Sequence, residues 1–134
     1  MRYLLDTTAL IAHYRQELGW ERVQSCFEDG DAELLIASPS LTEFGRRIHE
    51  LGADEATVEE VLTNYQLLFS AVVAIDTVVA KAALILGWRA QQRLPLADAL
   101  IAASAQTRNA TLIHRDEHMR GIPTESVQQI DLAA

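Results

Sequence analysis

The chain has 134 residues, 49% of them hydrophobic and 22% charged, and its nineteen acids against eleven bases give a formal charge of −8. That is enough apolar material for one packed core and too short a chain for a second, so a single domain over residues 1–134 is expected. The acidic balance excludes indiscriminate nucleic-acid binding through overall positive charge, the single cysteine (Cys26) excludes a disulfide framework or a cysteine-based zinc site, and no apolar run approaches the roughly 18 residues of a membrane span.

The apolar run at residues 2–5 ends at Asp6 and reads as a buried strand. The acid comes too early for the apolar core of a secretory signal, so a cytoplasmic protein is expected. Helical spacing follows from Ala9, Leu10 and His13 through Leu18, Trp20, Val23 and Phe27, up to the turn Asp29-Gly30-Asp31. Cys26 falls in this stretch and reads as a small apolar residue on a buried helix face. Residues 33–37 read as a second strand. Ser38-Pro39-Ser40 then opens a helix with Leu41, Phe44, Ile48 and Leu51 on its apolar side, closed by Gly52. Asp54 is placed to cap the next helix, which carries Val58, Val61, Leu62, Tyr65, Leu68 and Phe69.

Residues 71–75 form a third apolar strand, and Asp76 or Thr77 caps a long helix running to about Gln92. Pro95 starts a helix rich in small residues, among them Ala97, Ala99, Ala102, Ala103, Ser104 and Ala105, which permits close packing on a sheet. Residues 111–113 read as a fourth strand and 126–130 as a fifth, at an edge. Strands alternating with helices predict an α/β domain whose mostly parallel, four- to five-stranded sheet is flanked by helices. Ligands of such sheets gather at the carboxyl ends of the strands.

Four acids belong to that end. Asp6 follows the first strand, Asp116 follows the fourth after His114-Arg115, Glu43 lies early in the helix after strand two, and Asp98 lies early in the helix begun at Pro95. Each has an ordinary structural use: Asp6 as an N-cap, Glu43 closing a Ser40-x-x-Glu43 capping box, Asp98 at the positive end of its helix, Asp116 capping a short turn. Nothing in capping requires all four to converge, however. Converging carboxylates repel unless a cation compensates, and hard oxygen donors suit Mg²⁺ or Mn²⁺. Beside a phosphate, such a site carries out phosphodiester hydrolysis, one ion activating water and a second stabilising the leaving oxygen.

The residues then resemble a known family. Leu4-Leu5-Asp6-Thr7-Thr8-Ala9-Leu10, Ser40-Leu41-Thr42-Glu43-Phe44, Pro95-Leu96-Ala97-Asp98-Ala99-Leu100-Ile101-Ala102-Ala103 and Leu112-Ile113-His114-Arg115-Asp116 are similar, in order, to the four blocks of PIN domains. Length and spacing resemble the VapC toxins of type II toxin–antitoxin modules. The resemblance implies a compact α/β/α fold, Mg²⁺- or Mn²⁺-dependent endoribonuclease activity leaving a 5′-phosphate and a 3′-hydroxyl, a cognate antitoxin, and a homodimer within a toxin–antitoxin hetero-oligomer. It also implies that Asp6, Glu43, Asp98 and Asp116 are the catalytic, metal-holding acids and that Thr8 supports Asp6. His114 departs from the Thr or Ser often found there; it either hydrogen-bonds phosphate or fills space beside Asp116. Glu117 is a competing carboxylate for the role given to Asp116.

Other constellations carry less. His114-x-Asp116-x-His118 has the alternation of a transition-metal site in an extended segment, but a loop need not stay extended and no third histidine is near, so both read as solvated or supporting histidines. Thr8 stands where an aspartyl phosphotransferase places its second Asp, and no Gly-rich phosphate loop occurs. Arg46 and Arg47 lie one turn from Glu43, and Arg115 and Arg120 flank Asp116. Arg46 and Arg115 are candidate RNA-phosphate contacts, against surface pairing with acids such as Glu50 and Glu117. Tyr14, Trp20 and Trp88 read as core or interface packing rather than base-stacking platforms. The expected function is a metal-dependent endoribonuclease toxin; the alternatives are a non-catalytic RNA- or protein-binding module of the same fold and a nuclease directed at DNA. Setting the four site acids aside leaves fifteen acids against eleven bases, so recognition is expected in an Arg-flanked, metal-loaded groove.

Overall fold

The computed structural model describes residues 1–134. In chain order it comprises β1 (Arg2–Leu5), α1 (Thr7–Arg15), α2 (Trp20–Glu28), β2 (Glu33–Ala37), α3 (Ser38–Glu50), α4 (Glu55–Leu68), β3 (Ala71–Val73), α5 (Thr77–Arg89), α6 (Leu96–Thr107), β4 (Thr111–His114), α7 (Glu117–Arg120) and β5 (Gln129–Asp131). The five strands form one sheet in the order β3-β2-β1-β4-β5, and every pairing is parallel. The edge strands are shorter than the apolar pattern predicts, β3 stopping at Val73 and β5 starting at Gln129. α5 likewise ends at Arg89, short of the expected Gln92.

Alternation along the strands distributes the core. Leu4, Leu35, Ala37, Val73 and Leu112 face one side, where they meet Val79, Ala83 and Leu86 of α5 and Ile101, Ala102 and Ala105 of α6. Leu5, Leu34, Ile36 and Ile113 face the other, against Ala9 and Leu10 of α1, Val23 of α2, Phe44 and Ile48 of α3, and Tyr65 of α4. Both faces are covered, as an all-parallel sheet requires. The alanines of α6 do what their size allows: Ala102, Ala103 and Ala105 are wholly buried against the sheet and α5.

Two further local outcomes differ from the sequence reading. The first predicted helix is two, because Gln16 ends α1 in the left-handed region (φ 53°) and Gly19 begins α2 at φ 92°. A Cβ on Gly19 would lie 2.8 Å from the Cβ of Leu132, so the break lets the chain pass close beneath the segment after β5. The predicted Ser40–Glu43 capping box does not form either. The helix starts earlier, with Ala37 at the N-cap, and Ser40 is buried within its first turns. Asp6, Asp54, Asp76 and Asp116 do cap their helices, each accepting a backbone N–H two or three residues on.

The chain runs outward from β1 through β2 to β3, then returns to place β4 on the other side of β1. β1 and β4 therefore flank the point where the strand order reverses, and a crevice opens beyond their carboxyl ends. Asp6 follows β1, and Asp116 lies two residues beyond β4.

Candidate active site

Asp6 is fixed by the turn from β1 into α1. Its N–H is donated to the Ile113 carbonyl of β4 (3.0 Å), while its Oδ1 accepts from the Ala9 N–H (2.8 Å) and from Thr8 Oγ1 (2.7 Å). Only 2% of the residue is exposed, and Oδ2 accepts no hydrogen bond within the chain. Burial pushes the Asp6 carboxyl up to about 7; the charges of Asp116 and Asp98 push the same way, and the two hydrogen bonds oppose them. Thr8 does more than support Asp6. The same hydroxyl oxygen accepts the Arg115 N–H (2.9 Å), so one side chain ties the exit of β1 to the exit of β4.

Asp98 sits in the first turn of α6, half-buried, and faces Asp116. Burial pushes its carboxyl up to about 6, the charge of Asp116 adds to the shift, and His118 works against it. Asp116 is held from behind. Its N–H is donated to Nδ1 of His114 (3.1 Å), and its Oδ1 accepts the His118 N–H (2.9 Å). Since Nδ1 of His114 accepts, its proton sits on Nε2 and is donated to Oε1 of Gln129 (2.8 Å), whose amide in turn donates to the Ile122 carbonyl (2.9 Å). His114 is fully buried and burial lowers its pKa, so it is a neutral strut behind Asp116. The expectation that it fills space beside Asp116 describes its position; contact with a phosphate is excluded by its burial. Glu117 points to solvent, and Asp116 is the carboxylate that lines the cleft.

Glu43 projects from the second turn of α3, where Oε1 accepts from Thr7 Oγ1 at 2.6 Å. Thr7 Oγ1 also lies 3.1 Å from Ser40 Oγ, so these hydroxyls orient Glu43 in place of the predicted capping box. The acids line an open cleft of about 350 Å³ with Arg46 and Arg47 on its α3 wall. Arg47 is ion-paired with Glu50 (3.5 Å), whereas Arg46 lines the cleft without an ion-pair partner. Arg115 turns away to Glu17 (3.4 Å), which Arg15 also contacts, and is not among the residues lining the cleft.

The four predicted acids thus meet in one cleft, with Thr8 against Asp6 and His114 behind Asp116. Thr7 escaped the sequence reading, and His118 is left by it between a solvated and a supporting place. Thr7 was visible only as one half of a Thr-Thr pair, whose hydroxyls leave a helix start in different directions. His118 takes the supporting place while staying partly open to solvent: its Nδ1 lies 3.2 Å from Asp116 Oδ1 and 3.4 Å from Asp98 Oδ2. The signal was its place two residues after Asp116, but only the turn of α7 brings it inward.

Chemically, the cleft offers several carboxylate oxygens around a gap, and the carboxyls disfavour each other's charge. That is a donor set for a hard divalent cation, which would neutralise charge that the chain leaves uncompensated.

Comparison with known proteins agrees with this arrangement. The PIN domain family model matches residues 3–124. Among solved structures, the chain is similar to the crystal structure of VapBC2 from Rickettsia felis bound to a promoter DNA fragment (TM-score 0.77, 16% identity, 98% of each chain covered). It is also similar to a toxin–antitoxin complex from Klebsiella pneumoniae (TM-score 0.73, 21% identity, 97% of each chain) and to VapBC-5 from Mycobacterium tuberculosis (TM-score 0.67, 21% identity, 97% of this chain and 98% of that one). No curated protein matches the sequence. At these identities the structural likeness concerns the fold. Together with a family match over most of its length and a strand order that brings Asp6 and Asp116 to one crevice, it shows that the chain belongs to the PIN-domain family.

Proposed function

We propose that this chain is a divalent-cation-dependent endoribonuclease acting as the toxin of a toxin–antitoxin pair. The observation that carries the reading is the convergence of Asp6, Asp98 and Asp116 at the strand-order reversal, with two of the three carboxyls pushed up to about 7 and about 6. The solved structures it resembles are toxin–antitoxin complexes, which supports a small antitoxin protein as its partner. Homodimerisation is supported by α5, whose outward face exposes Val78, Leu84, Ile85 and Trp88 around Lys81.

Asp6, Asp98, Asp116 and Glu43 would hold Mg²⁺ or Mn²⁺. When bound there, such a cation polarises the scissile phosphate and eases loss of a proton from the attacking water. The rest is done by the chain. Thr8 and the Ala9 N–H hold one oxygen of Asp6 so that the other faces the cleft. The His114–Gln129 strut fixes the backbone of Asp116. Arg46, on the wall beside Glu43, attracts RNA phosphate and sets the path of the strand. Thr7 holds Oε1 of Glu43, which leaves Oε2 to take the proton that water releases. The water oxygen bonds to phosphorus in line as the bond from phosphorus to the 3′-oxygen breaks, and the departing 3′-oxygen takes a proton from solvent. A 5′-phosphate and a 3′-hydroxyl result.

The test is cleavage of total RNA by the purified chain, freed of antitoxin, with Mg²⁺ or Mn²⁺ and with chelator. Chelator should stop cleavage, and Asp6→Asn and Asp98→Asn should each lower it by roughly 10²-fold or more. Undiminished cleavage by both variants would remove the site assignment. RNA binding without cation-dependent cleavage would instead make the chain a binding module.

A further inference from the structure

Beside the acids stands one side chain of different chemistry. His118 is placed by the first turn of α7, whose N-cap is Asp116 itself, and its imidazole is only partly covered by protein. Its Nδ1 lies 3.2 Å from Asp116 Oδ1 and 3.4 Å from Asp98 Oδ2. Donor atoms sharing a cation at ~2.1 Å stand about 3.0 Å apart in an octahedral shell and about 3.4 Å apart in a tetrahedral one. The two distances fall on that scale. Nε2 makes no hydrogen bond within the chain, so the imidazole is free to carry its proton there and leave the Nδ1 lone pair facing the carboxylates. Asp6, almost wholly buried and with Oδ2 unpartnered, lines the same cleft from the β1 side. The other three histidines are committed elsewhere: His13 to Tyr65 and Gln24, His49 to the Ala53 carbonyl, His114 to Gln129.

We propose that His118 is a nitrogen ligand of the bound cation, completing with Asp98 and Asp116 a mixed nitrogen–oxygen site that prefers a transition-metal ion to Mg²⁺. Carboxylate and water donors suit Mg²⁺, whereas imidazole adds most to the ions later in the first-row series, from Co²⁺ to Zn²⁺. A single neutral nitrogen donor therefore turns an otherwise all-oxygen site toward those ions. This inference rests on reading the cleft as a cation site, and it holds whether or not the bound ion cleaves RNA.

The experiment is titration of the full chain and of His118→Gln with Co²⁺ and with Mg²⁺. It follows the visible Co²⁺ absorption, the paramagnetically shifted imidazole N–H proton resonance and the calorimetric affinity. The parent should show the shifted resonance. His118→Gln should lose it and bind Co²⁺ about tenfold or more weakly, with Mg²⁺ affinity changed by less than about twofold. His118→Asp, which offers an oxygen donor in place of the nitrogen, should bind Mg²⁺ at least as tightly as the parent and show a smaller preference for Co²⁺ over Mg²⁺. Equal Co²⁺ affinity and an unchanged spectrum in His118→Gln overturn the proposal, even if the parent cleaves RNA. Co²⁺ held through His118 by a chain that cleaves nothing supports it and removes the nuclease reading alone. Failure of the parent to bind Co²⁺ overturns it outright.

Discussion

A carboxyl that titrates near 7 in the folded chain but near 4 once unfolded makes stability depend on pH in a fixed direction. Between those values the folded state keeps the proton of Asp6 and the unfolded state has lost it, so stability falls as pH rises through the window and the loss is complete above about 7. Asp98, raised to about 6, acts in the same sense. Asp6→Asn keeps an acceptor for Thr8 and Ala9 but cannot ionise. Without divalent cation, denaturant unfolding at a series of pH values should therefore show the parent losing stability between pH 5 and 8 relative to this variant, by an amount on the order of a few kcal/mol. Parallel curves would show that Asp6 titrates normally. A second residue-scale expectation concerns His114. His114→Phe fills the same space but strands Gln129 Oε1 and the Asp116 N–H, so it should cost about 1–3 kcal/mol in thermal unfolding and lower cleavage at saturating cation. What was legible at this scale was the placing of the acids, Asp6 directly after an apolar run, Asp116 shortly after another, and Glu43 and Asp98 early in helices. Glu43 was legible as a residue of the cleft but not in its partner. Ser40 at the i−3 position looks like a capping box, and only the packing of α3 against α1 shows that Thr7 is the donor.

Among the elements, those set by local patterning were legible and those set by distant contacts were not. The central strands, the caps at Asp54 and Asp76 and the small-residue helix α6 follow from alternation, side-chain size and hydrogen-bonding capacity within a few residues. The break between α1 and α2 does not, since apolar spacing continues through it. At that break Gly19 passes close to Leu132, over a hundred residues away. Gly19→Ala must accept both a left-handed backbone at φ 92° and a Cβ 2.8 Å from the Leu132 Cβ, whereas Gly52, at φ 112°, has open space around it. In matched urea melts, Gly19→Ala should lose more stability than Gly52→Ala, about 2–4 kcal/mol against about 1 kcal/mol. Equal losses would show that the Leu132 contact yields freely.

At the scale of the whole molecule, charge and apolar surface divide the outside into unlike regions. Trp88, read from sequence as core or interface packing, is 68% exposed and continues the apolar face of α5 that includes Val78 and Ile85. If that face joins two copies, Trp88→Glu should convert a dimer to a monomer in sedimentation velocity while leaving far-ultraviolet circular dichroism unchanged; a variant that sediments as the parent would place the dimer contact elsewhere. The all-parallel sheet has a further consequence, one of timing. Asp6, Glu43, Asp98 and Asp116 come from four separate crossovers, and the strut behind the last of them needs Gln129 from β5. No contiguous stretch of the chain contains the site. A polypeptide emerging from the ribosome N-terminus first therefore carries three of its acids long before it can assemble the cleft. The nuclease proposed here would be inert while it is being made, and the message encoding it would be out of its own reach until β4 and β5 have joined the sheet.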